Sequence, residues 1–423
     1  MESRFKKNVK TVFVGNIVYL LVTVVIYLLL FRWLETKEYA ILVVLLAVVD
    51  GLTEVSDLGL NTSLIKSLSK YSSATRNRLS VAYVLRLKLL FIVFVTSLFF
   101  LLNDSLLSWV FSSSVSAIPM GLVLAVIGIS ILREFHFTIL LAQRRYKQYR
   151  NARLMNRLVI FVAITLVYVF GGLSIGTALW AFFIAAAVVS VRSYKDMLLY
   201  FSYAIKKIPV SVKSDIAATG KWMSISGFLA LIITRLDVFF LSHYSLLVEL
   251  AYYAVIFKLA SVILVMVRSF SQVYLPVQMT RIGDSDMAKT LSRKLTLVAV
   301  AGIAIVWLFV DVGLAGVEVV TSKNMPAIAD NIMVILTASF LVALMSSPFS
   351  QFLIAHEQAH KLVFLNLVQL GIVTTINYFF IPIYGVYAPV IAILLYSFVG
   401  YVSVMLLVFF GKIEGNIGGL KHR

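Results

Sequence analysis

Apolar runs of about 20 residues recur along the whole chain, and each is long enough to cross the roughly 30 Å hydrocarbon core of a bilayer as an α-helix. Hydrophobic residues make up 61% of the 423 residues, and the mean hydropathy is +0.98. Soluble domains contain only roughly 45 to 50% apolar residues, and transmembrane β-strands show short apolar–polar alternation instead of long runs. The pattern therefore predicts an all-α polytopic integral membrane protein.

Twelve apolar segments, separated by polar connections, are predicted to be transmembrane helices. They lie near residues 11–31, 39–58, 81–102, 117–142, 157–171, 174–191, 221–242, 250–273, 294–311, 328–354, 362–381 and 385–410. The longest connection falls between the sixth and seventh segments, which predicts two six-helix lobes around a central cavity, as in transporters built from repeats. The expected units are an N-terminal lobe (1–195), a cytosolic linker (196–220), a C-terminal lobe (221–411) and a cytosolic tail (412–423).

Lysine and arginine are concentrated in alternate connections between these segments. Most of the 37 basic residues fall on one side, and the connections on the other side hold only Arg32, Lys37 and Lys323. Short cytosolic loops carry such an excess, so both termini are expected in the cytosol. Basic loops facing anionic lipid headgroups explain the net charge of +18 without a nucleic-acid partner.

Charged residues also occur inside the predicted segments, where they are costly and usually face a bundle interior or an aqueous cavity. The acidic members Asp50, Glu54 and Asp57 follow helical spacing and share one face. Guanidinium and ammonium groups suit phosphate, so the basic members are candidate binders of an anionic headgroup. They are Arg86, Lys88, Arg133, Arg235, Lys258 and Arg268.

The acidic members, with Asp237, are candidates for coupling to H⁺ or Na⁺, because a carboxylate with a raised pKa can exchange an ion during a transport cycle. A purely structural alternative stays open, in which acids and bases on neighbouring helices pair and make polar segments tolerable. No segment outside the membrane is long enough for a soluble catalytic domain, so we expect a carrier and no enzyme.

The stretch HEQAH, residues 356–360, fits the H-E-x-x-H pattern of zinc metalloproteases. A catalytic zinc site needs a third protein ligand, and no Asp or Glu occurs between Glu357 and Glu414. An intramembrane metalloprotease is therefore the weaker interpretation, and we expect neither a metal nor a cofactor.

Three stretches resemble the polysaccharide-transporter branch of the multidrug, oligosaccharidyl-lipid and polysaccharide flippase superfamily, which includes O-antigen flippases. They are SDLGLNTSLIKSLSKY (56–71), ITRLDVFFLSHYSLLVELAYYAVIFKLASVI (233–263) and NYFFIPIYGVYAPVIAILL (377–395). They are similar to that family's Asp-x-Gly closing the second helix, its Arg/Asp-bearing seventh helix with a Tyr-rich start to the eighth, and its Pro-x-x-Gly turn before the last helix.

The resemblance implies a flippase that moves a polyprenyl-pyrophosphate-linked oligosaccharide, such as a lipopolysaccharide O-antigen unit, from the inner to the outer leaflet by alternating access. Its implied partners are membrane lipid, the lipid-linked glycan, H⁺ or Na⁺, and glycan polymerases. The main alternative is a drug/cation antiporter of the same superfamily, which would favour acidic cavity groups. A membrane-embedded glycan polymerase is less favoured, because such enzymes carry a long outside loop with catalytic arginines.

Overall fold

The computed structural model describes residues 2–57, 59–70, 73–110, 120–143, 145–192, 200–204, 208–263, 285–355 and 358–409. This part of the chain is helical and contains no strand. The helices of the first half are α1 (Glu2–Trp33), α2 (Thr36–Val55), α3 (Leu60–Lys70), α4 (Ala74–Val110), α5 (Met120–Ala142), α6 (Tyr146–Val169) and α7 (Ile175–Arg192). Those of the second half are α8 (Val210–Ile233), α9 (Leu236–His243), α10 (Leu247–Ala260), α11 (Ser285–Thr321), α12 (Ala329–Ala355), α13 (Ala359–Tyr384) and α14 (Tyr387–Phe409).

Each of the twelve predicted segments falls on a helix, which confirms the polytopic all-α fold. Eight described helices are long and apolar enough to span a membrane, and α8 with α9 forms a further span that bends by 41° at its break. The shorter or more charged helices α2, α10 and α11 correspond to the remaining predicted segments. The segment predicted at 250–273 lies partly outside the described residues.

Several helices begin well before the apolar runs that predicted them. Helices α4, α6 and α8 start at Ala74, Tyr146 and Val210, whereas the predicted segments start at 81, 157 and 221. Lysine, arginine and glutamine are good helix formers, so a helix continues beyond the lipid that the apolar run marks. The predicted starts were therefore wrong by about two to three turns, at 3.6 residues per turn.

The helices pack into two groups, α1–α7 and α8–α14, each with extensive internal contacts. The groups meet mainly where α1 and α2 contact α10 and α11, and where α3 and α4 contact α8. A large apolar core fills the α1–α2 end of this interface and includes Phe31, Tyr39, Leu241 and Tyr253. Because α2 is buried at nearly every position from Tyr39 to Val49, the two groups are closed at that end.

A glycine with a positive φ follows the penultimate helix of each group. Gly171, between α6 and α7, has φ of +72°, and Gly385, between α13 and α14, has φ of +53°. Left-handed backbone at a helix C-terminus favours glycine because it has no Cβ to clash with the carbonyl. These turns return α7 and α14 antiparallel against the helices before them.

Candidate functional site

A polar cavity of about 460 Å³ lies between the two helix groups. Its size is in the range of about 300–1,000 Å³ that is usual for small-ligand sites. The polar side chains on its wall come from both groups. They are Tyr19, Thr23, Asp50, Thr53, Glu54, Asp57, Asn61, Arg133, Glu134, Arg153, Arg157, Thr234, Arg235, Asp237, Lys258, Ser261, Tyr396 and Ser397.

Two arginines of α6 form a cationic wall against α1. Arg153 Nη1 donates to Asn16 Oδ1 at 2.8 Å and to the Tyr149 hydroxyl at 3.0 Å, and its guanidinium lies 4.0 Å from the Tyr19 ring centroid. Arg157 donates to the Tyr19 hydroxyl and lies 4.7 Å from the same ring centroid. These partners are neutral, so amide, hydroxyl and cation–π contacts fix both guanidinium groups without cancelling their charge.

Arg133 of α5 lies beside this wall. Its Nη2 is 3.0 Å from Glu134 Oε1, and its Nη1 donates to Asn156 Oδ1 at 3.5 Å. The buried Nε atoms of Arg133, Arg157 and Arg235 have no acceptor in the described protein. Leaving a buried donor unpaired costs about 1–3 kcal/mol, so each of these three N–H groups favours an acceptor inside the cavity, such as water or a ligand oxygen.

One ion pair crosses the cavity from one helix group to the other. Arg235, in the break between α8 and α9, places Nη2 3.4 Å from Asp50 Oδ2 of α2. The side chains are 24% and 44% exposed, so water screens the pair and it contributes about 1 kcal/mol or less. Lys258 of α10 also lines the cavity from the second helix group, and its Nζ lies 4.3 Å from the Tyr27 ring centroid.

The cavity carboxylates differ in their surroundings. Asp237 is 4% exposed and accepts hydrogen bonds from the Tyr253 hydroxyl and, at 2.8 Å, from the Val238 backbone N–H. Asp57 accepts from the Asn61 backbone N–H at 2.6 Å, which caps the first turn of α3. Asp237 and Asp57 therefore have local structural partners besides any ligand.

The structure brings together most of the charged residues singled out in the sequence. Arg133, Arg235 and Lys258 line the cavity, and so do the four candidate ion-coupling residues Asp50, Glu54, Asp57 and Asp237.

Two of the other predicted cations lie away from the cavity wall. Arg86 is exposed and is not part of the cavity wall. Lys88 is 1% exposed and points its Nζ to the Ser56 carbonyl oxygen at 3.4 Å. Arg268 lies outside the described residues.

Arg153 and Arg157 were not predicted as site residues, because they lie before or at the first residue of the apolar run 157–171 and count among the basic residues at its cytosolic end. Their spacing was an available signal, since residues four apart lie on one helical face and Tyr149 continues that face by one more turn. Recognising that signal required starting α6 at Tyr146, before its apolar run.

Only Gln358, Ala359 and His360 of the HEQAH stretch lie among the described residues. Helix α12 ends at Ala355, α13 begins at Ala359, and the exposed His360 belongs to α13. His356 and Glu357 lie outside the described residues. No group of three metal-ligating side chains occurs among the residues that the structure describes.

Comparisons with known proteins place this geometry in context. The polysaccharide biosynthesis protein family matches residues 5–282. No curated protein sequence matches the chain.

Three solved structures illustrate the fold that the chain shares. The lipid II flippase MurJ in an inward closed conformation aligns with a TM-score of 0.73 and 13% identity, over 93% of this chain and 86% of that one. An inward-facing multidrug resistance MATE family transporter of the MOP superfamily gives 0.68 and 14%, over 92% and 94%. A MOP superfamily transporter from Pyrococcus furiosus gives 0.68 and 14%, over 96% of both chains.

Proposed function

The chain belongs to the polysaccharide biosynthesis protein family and has the fold of MOP-superfamily transporters, and we propose that it flips a polyprenyl-pyrophosphate-linked oligosaccharide across a membrane. In this proposal the diphosphate binds in the polar cavity while the lipid tail stays in the bilayer. The two helix groups rock about the cavity and expose it to each side in turn, with no covalent chemistry.

The observation that supports the proposal is that neither arginine of the cationic wall is hydrogen-bonded to a carboxylate in the described part of the chain. Arg153 and Arg157 have only neutral hydrogen-bonding partners, and the buried Nε of Arg157 has no acceptor. A diphosphate offers several negatively charged oxygens that match a guanidinium fork. Binding it would satisfy the free donor and neutralise the wall in one step.

The remaining wall suits the glycan. Hydroxyl groups of Thr23 and Ser261 and the aromatic ring of Tyr396 line the same cavity. Such groups donate and accept hydrogen bonds to sugar hydroxyls and cover sugar faces. The transporter from Pyrococcus furiosus is described as having a binding pocket of reverse polarity that suggests a different function. We infer that pocket polarity distinguishes cargo on this fold, and that the cationic wall here selects an anion.

We extend the proposal to topology, partners and coupling. The near absence of basic residues from one set of connections supports cytosolic termini in a cytoplasmic membrane. The proposed lobes are residues 1–195 and 221–411. O-antigen or another surface polysaccharide unit is the proposed cargo, and a glycan polymerase would receive it. Asp50 and Glu54, which face the cavity, are the proposed sites of H⁺ or Na⁺ coupling.

A drug/cation antiporter is the second candidate, because five carboxylates also line the cavity. Asp50, Glu134, Asp237 and Asp57 already have partners within the protein. In the described part of the chain, neither Arg153 nor Arg157 forms an ion pair with a carboxylate, and their hydrogen-bonding partners are neutral. The balance of unneutralised charge on the α1–α6 wall therefore favours an anion.

Transport by purified protein in liposomes tests the proposal. A fluorescent polyprenyl-diphosphate-linked glycan is added, and its movement between leaflets is followed with an impermeant quencher. A hydrogen bond to a charged group contributes about 1.5–3 kcal/mol, so Arg153→Gln or Arg157→Gln should lower apparent affinity about tenfold or more. The control Lys147→Gln changes an exposed cation of the same helix and should behave like wild type. Equal transport by all four proteins contradicts the proposal, and uptake of an organic cation without glycan movement supports the antiporter.

A further inference from the structure

Two basic side chains cross between the helix groups at the closed end of the molecule. Arg32, at the end of α1, donates Nη1 to the Val320 carbonyl oxygen of α11 at 2.8 Å. Lys323, just after α11, donates Nζ to the Leu34 carbonyl oxygen after α1 at 2.9 Å. Each group thus supplies a cation to the other, and the two contacts are reciprocal.

Both acceptors are carbonyl groups at helix C-termini. Val320 is in the last turn of α11, and Leu34 follows the last residue of α1. The last four carbonyl groups of a helix lack partners within the helix, and this end carries a partial negative charge that favours cations. The C-terminus of each of these helices is therefore capped by a cation from the opposite group.

Lys323 makes further contacts with the N-terminal group. Its Nζ lies 3.4 Å from Thr36 Oγ1 and 4.5 Å from the Phe31 ring centroid. Phe31 belongs to the apolar core that closes this end of the interface. Burial lowers the pKa of Lys323, and Glu35 opposes that shift. The cost of desolvating the ammonium therefore offsets part of the free energy that its hydrogen bonds contribute. The contact is weaker as a result, and a weaker contact suits a closure that must open repeatedly.

We propose that Arg32 and Lys323 form a two-cation latch that holds the cavity closed on the side of the membrane carrying the α1–α2 and α11–α12 connections. When the helix groups separate on that side, both reciprocal caps must break together, because each joins one group to the other. The latch acts on the conformational equilibrium and is independent of the identity of the cargo. The side where basic residues are scarce holds only Arg32, Lys37 and Lys323 in its connections. The latch gives a function to Arg32 and Lys323.

The absence of cysteine from the chain makes a site-directed labelling test direct. Thr234→Cys places a thiol on an exposed position of the cavity wall. A membrane-impermeant maleimide is then applied to vesicles from the latch side or from the opposite side. The labelling rates report how often the cavity opens to each side.

We expect the variant Arg32→Ala with Lys323→Ala to raise labelling from the latch side about tenfold, since hydrogen bonds to charged groups typically account for such a ratio. Labelling from the opposite side should fall. Lys37→Ala removes the exposed third cation of this side and should leave both rates unchanged. Lys323→Arg keeps a cation within reach of α1 and should retain the wild-type rates.

Unchanged rates in the double variant would overturn the latch, as would an equal change in Lys37→Ala. If the double variant does not purify as a monodisperse protein, the test is the latch-side labelling rate of Lys323→Ala compared with that of Lys323→Arg. Latch-side labelling that rises severalfold above Lys323→Arg supports the latch, and labelling equal to that of Lys323→Arg overturns it.

Discussion

Replacing Asp50 with asparagine should tighten the binding of a diphosphate headgroup, although it removes a polar contact from the cavity. Asp50 and the anion compete for Arg235, whose Nη2 lies 3.4 Å from the carboxylate and whose buried Nε has no acceptor. Without the carboxylate, the guanidinium can turn its full donor set toward the anion. The substitution also removes a negative charge from the space that the anion enters.

The magnitude follows from exposure. The side chains of Asp50 and Arg235 are 44% and 24% exposed, so breaking their pair costs about 1 kcal/mol or less, and in Asp50→Asn the anion no longer has to break it. A gain of about 1 kcal/mol corresponds to roughly fivefold tighter binding. A fully buried pair would have given a much larger change, because removing one partner of such a pair costs about 3–5 kcal/mol.

The assay is equilibrium binding of a fluorescent short-chain isoprenyl diphosphate to purified protein at fixed ionic strength. Wild type, Asp50→Asn, Arg235→Gln and the double variant form a mutant cycle. The control Asp311→Asn neutralises an exposed acid of α11 that does not line the cavity. The tightening caused by Asp50→Asn should shrink when Arg235 is already absent. Weaker binding by Asp50→Asn would refute the competition, as would an undiminished gain without Arg235.

Three further predictions concern the wall, the coupling and the fold. Tyr19→Phe removes the hydroxyl that holds a wall guanidinium but keeps the ring, so headgroup affinity should fall about 3- to 10-fold, and less than in Tyr19→Ala; wild-type affinity in Tyr19→Phe would mean that the hydroxyl contributes nothing. Asp50→Asn with Glu54→Gln should make transport in liposomes indifferent to imposed H⁺ and Na⁺ gradients, and a retained response would remove these residues from ion coupling. Gly385→Ala, at φ of +53° and ψ of −130°, should destabilise the protein by about 1–3 kcal/mol and lower the melting temperature in detergent. Gly371→Ala in α13, where an added Cβ meets no atom within 4 Å, should not lower it.

The membrane-spanning helices could be predicted because lipid forces a simple rule on sequence. Every backbone polar group in the hydrocarbon core must be satisfied within its own segment, so apolar length alone marks a helix. The amphipathic α3 and the early start of α6 at Tyr146 obey no such rule. Outside the lipid, a polar helix and a polar loop have similar compositions, so sequence alone did not separate them.

The site was predictable only where one helix fixed its geometry. Asp50 and Glu54 follow helical spacing on α2 and do line the cavity together. Asp57 lines it as well, although it lies in the turn after α2. Which way a whole helix faces depends on packing against its neighbours, and this placed Lys88 in a buried position against Ser56. In the sequence, Arg153 and Arg157 belong to the excess of basic residues that orients the chain in the membrane. In the structure, the same two residues lie on the cavity wall.

Calorimetric titration of the purified protein with paired ligands tests the cationic wall most directly. The pair is a short isoprenyl diphosphate and the matching isoprenyl alcohol, each titrated into wild type and into Arg153→Gln with Arg157→Gln. We expect the diphosphate to bind wild type in a salt-sensitive manner, to lose about tenfold or more in affinity for the variant, and to bind far more tightly than the alcohol. Equal affinity for the two ligands, or an unchanged diphosphate affinity in the variant, would contradict an anion site on α6.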